Sequence, residues 1–270
     1  MIEAKVIADS VSPAGKRITT LQLRYHRFIL AEVNTHRAFS RSSASSRAVP
    51  VAKMLEQVRN DPATPIHFGK NQAGMQAHEE LDEDSKRVAQ ALWKRAAQEA
   101  ADIAESMSER GAHKQVVNRL IEPFQWAQTV VTATEFDNFY ALRCHPDAQP
   151  EMQALAYAMR DAMEGSTPQM RWQGDWHLPY ISAEERESHG PDLLARISAA
   201  RCARVSYLLH DGTQPSLEKD LALFKRLAGN TPMHSSPLEH QAQPYASAYS
   251  PSRNFLGWKQ FRETYEETWQ

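Results

Sequence analysis

The sequence predicts a mixed fold in which helices and strands share one domain, and three stretches carry that prediction. Residues 82–110, DEDSKRVAQALWKRAAQEAADIAESMSER, open with acids and run through alanine, with Val88, Leu92, Ala96, Ile103 and Met107 near one face. That is the pattern of an amphipathic helix of ~40 Å. Residues 18–31, ITTLQLRYHRFILA, alternate apolar and polar side chains before turning continuously apolar, as a half-buried strand entering a buried element does. Residues 129–134, TVVTAT, are β-branched enough to form a second strand.

The remaining elements follow in order. Residues 50–60 read as a helix ended by the Asp61-Pro62 pair, and 61–80, with Gly, Asn and Pro, as irregular. Gly111 stops the long helix, and HKQVVNRLIEPFQWA continues as a second helical segment interrupted at Pro123. From Glu135 to Met163 the pattern is helical, broken at HPDAQP. Residues 164–191, rich in Trp and Pro, read as a long loop or hairpin. Helices resume at 192–207 and 216–229, the TPMHSSPLEH turn follows, and NFLGWKQFRETYEE reads as a final amphipathic helix.

Composition sets the limits. With 41% hydrophobic and 24% charged residues in 270, the chain has enough apolar side chain to offset the entropy of ordering. The formal net charge of −2 argues against a general nucleic-acid binder, so any anion site must be local. Cys144 and Cys202 are too few for a disulfide framework, and no Cys/His spacing suits zinc. A reducing, cytoplasmic setting is expected, because the N-terminus lacks a basic region before an apolar run and no stretch approaches the ~20 apolar residues of a membrane helix.

The chemistry concentrates in NTHRAFSRSSASSRAVP, residues 34–50, with three arginines and five serines. Guanidinium groups fork two N–H donors toward phosphate or carboxylate, and hydroxyls and loop amides add neutral donors. Arg37, Arg41 and Arg47 with Ser40, Ser43, Ser45 and Ser46 therefore form a candidate cradle for a phosphorylated small molecule. The alternative is a solvated turn with helix-capping serines.

Further segments favour the cradle. THRAFSRSSASSRA resembles the Arg-His-Arg signature of the flavin-dependent thymidylate synthases, with its downstream serine and arginine; His36, Arg37, Ser40, Ser45 and Arg47 stand at matching positions. NRLIEP, the stretch from Thr129 through DNFYALR, and AQPEMQALA follow that family's second half in order. The family's N-terminal portion is resembled at the C-terminus here: AARCARVSY is similar to an early Ala-Arg-Val-Ser segment and PMHSSPLEH to the turn that follows it. The resemblance thus implies a circularly permuted member, a single catalytic domain over 1–270 with an insert at about 164–191, built as long helices around a small antiparallel sheet. Chain termini often lie close together, which makes permutation physically plausible.

What the resemblance implies for function is specific. It implies methylation of dUMP at C5, with the carbon from methylenetetrahydrofolate and electrons from NADPH through FAD, in a homotetramer with shared active sites. Arg47 and Arg119 would hold the nucleotide phosphate and Arg143 the uracil carbonyls; Ser43, Ser45 and Ser46 would lie on the substrate side, Ser45 and Arg143 nearest the chemistry. His36, Arg37, Ser40, Asn138, Ser206, His234, Ser236 and Glu239 would meet the flavin or folate. No metal is implied.

Departures from the family pattern matter. Its first signature arginine is Thr35 here, an upstream glutamine is Glu32, an asparagine after the signature is Ser42, and positions near the flavin are Thr132 and Thr134; a histidine expected after Arg143 is Asp147. NFLGWKQFRE carries the aromatic-Gln-aromatic-Arg character that normally precedes the signature, so Gln260 and Arg262 are expected to supply the substrate-side groups missing at Glu32 and Thr35. Three rivals stand beside this reading. Cys144, flanked by Arg143 and His145, offers a thiolate route to an activated pyrimidine. The substitutions could also redirect the same fold to dCMP or to a hydroxymethyl product, or leave only a nucleotide-binding protein.

Overall fold

The computed structural model describes residues 1–206, 213 and 215–267. In chain order they form β1 (Glu3–Val11), β2 (Arg17–His26), α1 (Leu30–Val33), β3 (Ser40–Ser43), α2 (Val51–Asn60), α3 (Glu83–Glu109), α4 (Lys114–Leu120), β4 (Trp126–Ala133), α5 (Asp137–Arg143) and α6 (Pro150–Glu164). Then come β5 (Gln169–Met170), α7 (Ala183–Ser188), α8 (Pro191–Arg204), α9 (Leu217–Ala228), β6 (Ala242–Pro244), β7 (Pro251–Ser252), β8 (Phe255–Leu256), β9 (Trp258–Gln260) and α10 (Phe261–Glu267). Helices and a sheet are thus both present, as expected; the sheet expected to be antiparallel also holds one short parallel contact.

The centre is a five-stranded sheet in the order β3-β4-β2-β1-β5. All its pairings are antiparallel except the two-residue contact of β1 with β5. The period-two alternation of 18–26 sorts its residues onto two faces. Leu21, Leu23 and Tyr25 join Val131 and Ala133 of β4 under α5 and α6, against Phe139, Met152, Leu155 and Met159. The opposite face carries Thr20, Val130 and Thr132, all fully buried, and is covered by the C-terminal half, including Tyr180, Cys202 and Val205.

That second face is polar and fully connected. Ser10 Oγ meets His177 Nδ1 at 2.9 Å, and His177 Nε2 meets Thr20 Oγ1 at 2.8 Å. The chain of bonds continues through Thr20–Thr132 (2.7 Å), Thr132–His240 Nδ1 (2.9 Å) and His240 Nε2–Ser42 Oγ (3.0 Å). Burial lowers the pKa of His240 to about 3 and that of His177 well below the usual imidazole value, so both rings are neutral at pH 7. Two histidines from the C-terminal half thereby dock onto the N-terminal sheet with every ring nitrogen partnered.

Four expectations need correction. The buried stripe of α3 is Ala97, Ala101 and Ala104, at helical spacing, whereas Val88, Leu92 and Ile103 are 59%, 59% and 56% exposed. Small side chains let α2 and α4 approach closely there, through Leu55, Val58, Val117 and Ile121. The NFLGWKQ stretch is strand, not helix: Gly257 at φ +73° interrupts it, while Phe255 and Trp258 enter a core with Ile18 and Ala242. Residues 164–191 hold more structure than a loop, since Trp176–Tyr180 are buried and Ser182-Ala183-Glu184-Glu185 forms a capping box that starts α7. Finally, four residues of the serine-rich stretch are themselves β3, the sheet edge. The helices expected at 50–60, 82–110 and 216–229 appear with small shifts of their ends; the last residue of the 192–207 helix, and the polar run of ARVSYLLHDG from 207 on, lie outside the described residues.

Candidate functional site

β3 divides the serine-rich segment into two faces and two ends. Ser40 and Ser42 face the C-terminal half, and Arg41 and Ser43 face the opposite side. Ser43 Oγ lies 2.9 Å from Thr129 Oγ1, which Tyr25 Oη meets at 2.8 Å. Burial pushes the Tyr25 hydroxyl up to about 12, so this trio is neutral.

At the N-terminal end of β3 the segment meets α5. Arg143 Nε donates to His36 Nε2 at 3.0 Å, and Arg143 Nη1 lies 3.7 Å from Glu32 Oε2. Arg41 Nη1 donates to the His36 carbonyl. Burial, then the charges of Arg143 and Arg41, lower the His36 pKa to about 4. The ring is therefore neutral, with Nε2 free to accept, and Phe139 packs edge-on against it at 4.8 Å. The sequence motif and the DNFYALR helix, about a hundred residues apart, are joined by this one bond.

At the other end, the 46–48 turn is fixed from beneath. Buried Asn118 donates through Nδ2 to the carbonyls of Ser46 (2.7 Å) and Val49 (3.1 Å). Ser46 Oγ donates to Glu122 at 3.3 Å, a carboxylate shared with Arg27 at 3.2 Å. Because Asn118 ties α4 to this turn, its neighbour Arg119 and the turn residue Arg47 come from joined segments. Arg37, Arg47 and Arg119 are exposed, and among the described residues none has an ion-pair or hydrogen-bond partner for its guanidinium; Ser45 is likewise exposed.

The C-terminal candidates gather on the Ser40 face. Gln260, fully buried, reaches Ser40 Oγ (3.3 Å), Asn254 Oδ1 (3.0 Å) and the Glu239 carbonyl (3.3 Å) through Nε2. Arg262 pairs with Glu239 at 2.6 Å and Glu266 at 2.8 Å. No hydrogen bond or ion pair joins Gln260 or Arg262 to Glu32 or Thr35 among the described residues; Glu32 has Arg143 instead. Ser236 begins the Ser236–Glu239 turn, and His234 and Asn138 are exposed. Ser206 closes α8 and, with Ser46, Arg27, Lys53 and Arg204, lines a cavity of about 350 Å³. This donor-rich lining fits a phosphate-bearing cofactor or substrate. A larger cavity of about 660 Å³, walled by the 61–80 segment, abuts Glu32 and Asp147.

Sequence reasoning missed Asn118, Asn254 and His240, which position the named residues. Their signal is weak: each is an amide or imidazole with no distinguishing local pattern. Cys144 has an environment opposite to activation: burial raises its thiol pKa above the ordinary value.

An edge strand carrying arginine and serine thus stands beside a neutral histidine and a helix-borne arginine. The family model described as thymidylate synthase complementing protein matches residues 9–169, and the chain belongs to that family. No protein of curated function matches the chain by sequence. Among solved structures, a UMP/dUMP methylase PolB from Streptomyces cacaoi bound with 5-Br UMP is 16% identical, covering 60% of this chain and 88% of its own, at a TM-score of 0.46. The same enzyme with 5-Br dUMP is 15% identical at 0.47, covering 60% and 90%. The flavin-dependent thymidylate synthase ThyX of Helicobacter pylori, complexed with FAD and dUMP, is 20% identical at 0.38, covering 54% and 67%. No helix among the described residues is long and apolar enough to cross a membrane.

Proposed function

We propose that this protein is a flavin-dependent thymidylate synthase-like enzyme, a circularly permuted one, that converts dUMP to dTMP with methylenetetrahydrofolate and NADPH. The observation that carries this reading is the family match over 9–169, within which the His36–Arg143 bond joins the two motif segments. Arg47 and Arg119, with unpaired guanidiniums, hold the nucleotide phosphate, and Ser43, Ser45 and Ser46 flank it. Arg143 keeps Nη2 for the uracil carbonyls while Nε is anchored on His36 and Nη1 faces Glu32, so it opposes the negative charge that grows on the ring as C5 reacts. A neutral His36 is what permits this: a protonated ring would have no lone pair for Arg143 and would repel it.

Bound FAD would supply the hydride. His36, Arg37, Ser40, Asn138, Ser206, His234, Ser236 and Glu239 are the residues we assign to it, with Gln260 and Arg262 closing the site from the C-terminal side. The C-terminal segments support permutation by their place: the Ser236–Glu239 turn and His240 pack on β3 itself. The exposed Val88, Leu92 and Ile103 stripe of α3 is the surface we assign to contacts between copies in a cytoplasmic homotetramer.

A second reading rests on Glu32. Its carboxylate stands 3.7 Å from Arg143 and is an acceptor, which suits the exocyclic amine of cytosine better than the carbonyl of uracil. The deciding experiment incubates the FAD-loaded protein with methylenetetrahydrofolate, NADPH and either dUMP or dCMP, with products read by mass. A methyl gain on dUMP is expected. A dCMP or hydroxymethyl product establishes the second reading, and bound nucleotide without product defeats both.

A further inference from the structure

The 164–191 segment, which lies outside most of the motif resemblance, holds two arginines that the active site does not use. Arg171 follows β5 and Arg186 sits on α7, and both border a cavity of about 230 Å³ on one side and another of about 250 Å³ on the other. Neither guanidinium has a carboxylate within ion-pair distance among the described residues. Arg186 donates only to the carbonyls of Trp176 (3.3 Å) and Leu178 (3.2 Å), and Arg171 only to Gln169 Oε1 (2.6 Å). The Nε of Arg171 is buried without a partner. The opposing charges are Asp175, which lines the second cavity and whose carboxylate accepts the Trp172 amide at 2.9 Å, and, for Arg186, also Glu185. Burial and then Arg171 lower the Arg186 pKa to about 10, a mark of two like charges held together away from water.

Half-buried cations normally find a carboxylate, because an uncompensated buried charge costs several kcal/mol. Here neither Asp175 nor Glu185 comes within ion-pair distance among the described residues, so the two guanidiniums keep donors for an added anion. We propose that Arg171 and Arg186 form a binding site for a phosphate group, in the cavity between the 164–191 segment and the start of α8. His189 and Pro191 line the same cavity, which places it beside the N-terminal end of α8, where Gly190 is an N-cap without a side chain and Asp192 is the one first-turn acid. The cavity accommodates inorganic phosphate or the head of a small monoester. A bound phosphate would tie β5, α7 and α8 together through charge-assisted bonds.

The test uses the full chain carrying R47A/R119A, which removes the competing cradle, and titrates inorganic phosphate against chloride at constant ionic strength by calorimetry and thermal denaturation. One-to-one binding with a rising Tm is expected. Adding R171Q should weaken binding at least tenfold while leaving the phosphate-free Tm unchanged or higher, because like-charge repulsion is relieved. R171Q is chosen because Arg186 keeps both carbonyl bonds and the fold keeps its clamp. Equal phosphate affinity with and without R171Q, or no binding to R47A/R119A at all, overturns the proposal. Tighter binding of glycerol phosphate than of inorganic phosphate would identify a monoester as the occupant. Thymidylate synthase activity plays no part in this readout, so the site stands or falls apart from the function proposed above.

Discussion

Two groups of arginines in this molecule make opposite use of the same side chain. In α8, Arg201 is buried, Arg204 is half-buried, and both are paired: Arg201 Nε meets Asp220 at 3.0 Å, its Nη2 meets Glu185 at 2.6 Å, and Arg204 meets Asp220 at 2.6 Å. Arg201 Nη1 also donates to the Tyr180 carbonyl at 2.6 Å. On the β3 edge and α4, Arg37, Arg47 and Arg119 are exposed and unpaired. A buried guanidinium such as that of Arg201, with Nε, Nη1 and Nη2 all partnered, holds elements together, whereas an exposed one with none filled is available to a ligand. The Ala-Arg-Val-Ser segment illustrates the point, since its Arg204 belongs to the first group and its Ser206 to a cavity wall.

The sharpest way to break this contrast is to remove the shared carboxylate. D220A leaves Arg204 without its carboxylate and Arg201 with Glu185 alone, and is expected to cost about 3–5 kcal/mol. That corresponds to a fall in Tm on the order of 10 °C for a chain of this size. Thermal denaturation of D220A within a degree or two of the parent would show the α8 network to be dispensable.

The ligand-facing group should respond in the other observable. R143A is expected to lower kcat/KM about 10²–10³-fold, as loss of a donor aimed at developing charge does. R47A should weaken dUMP binding about 10–100-fold, the worth of a charge-assisted bond, and leave stability within about 0.5 kcal/mol. Binding calorimetry and denaturation on the same samples separate the two effects. If R47A loses stability but binds dUMP normally, the two groups do not differ as described.

Much of this was legible in the sequence. Alternation marked β2, the alanine-rich acidic-start run marked α3, and the quoted motifs located the arginine–serine edge. What was not legible has physical causes. The buried face of α3 was misread because alanine packs helices closely while scoring as only weakly apolar, so the larger Val88 and Leu92 drew the assignment. The helix expected from Asn254 forms only from Phe261, because Gly257 adopts a positive φ that a helix cannot take. The roles of Asn118 and His240 depend on partners 72 and 198 residues away, which no local pattern encodes.

The buried histidines extend the comparison to pH. His177 and His240 have folded pKa values below the ordinary 6.5, so the unfolded chain binds more protons than the native one as pH falls. Their contribution is fully present above about pH 6.5 and is lost progressively below it. Each histidine contributes up to about 1.4 kcal/mol per pH unit in that window. Urea denaturation between pH 7 and pH 5 should therefore show falling stability, and H240Q should flatten the slope. An unchanged slope in H240Q would mean that its ring is not held neutral by the sheet.

The smallest expected effect concerns Cys144. A nucleophilic thiol needs its anion stabilised, and the adjacent Arg143 suggests that at first sight. Arg143 is instead committed to His36 and Glu32, and burial raises the thiol pKa, favouring the protonated form. The neighbouring arginine in sequence is thus not an electrostatic neighbour that activates the sulfur. C144S removes nucleophilicity, changes one polarizable atom, and keeps a side chain of similar size in a half-buried position. Its activity is expected to stay within about twofold of the parent, since no transition-state contact is lost. A fall of a hundredfold or more in C144S, with dUMP affinity intact, would instead place the sulfur on the reacting ring and return the molecule to the thiolate route.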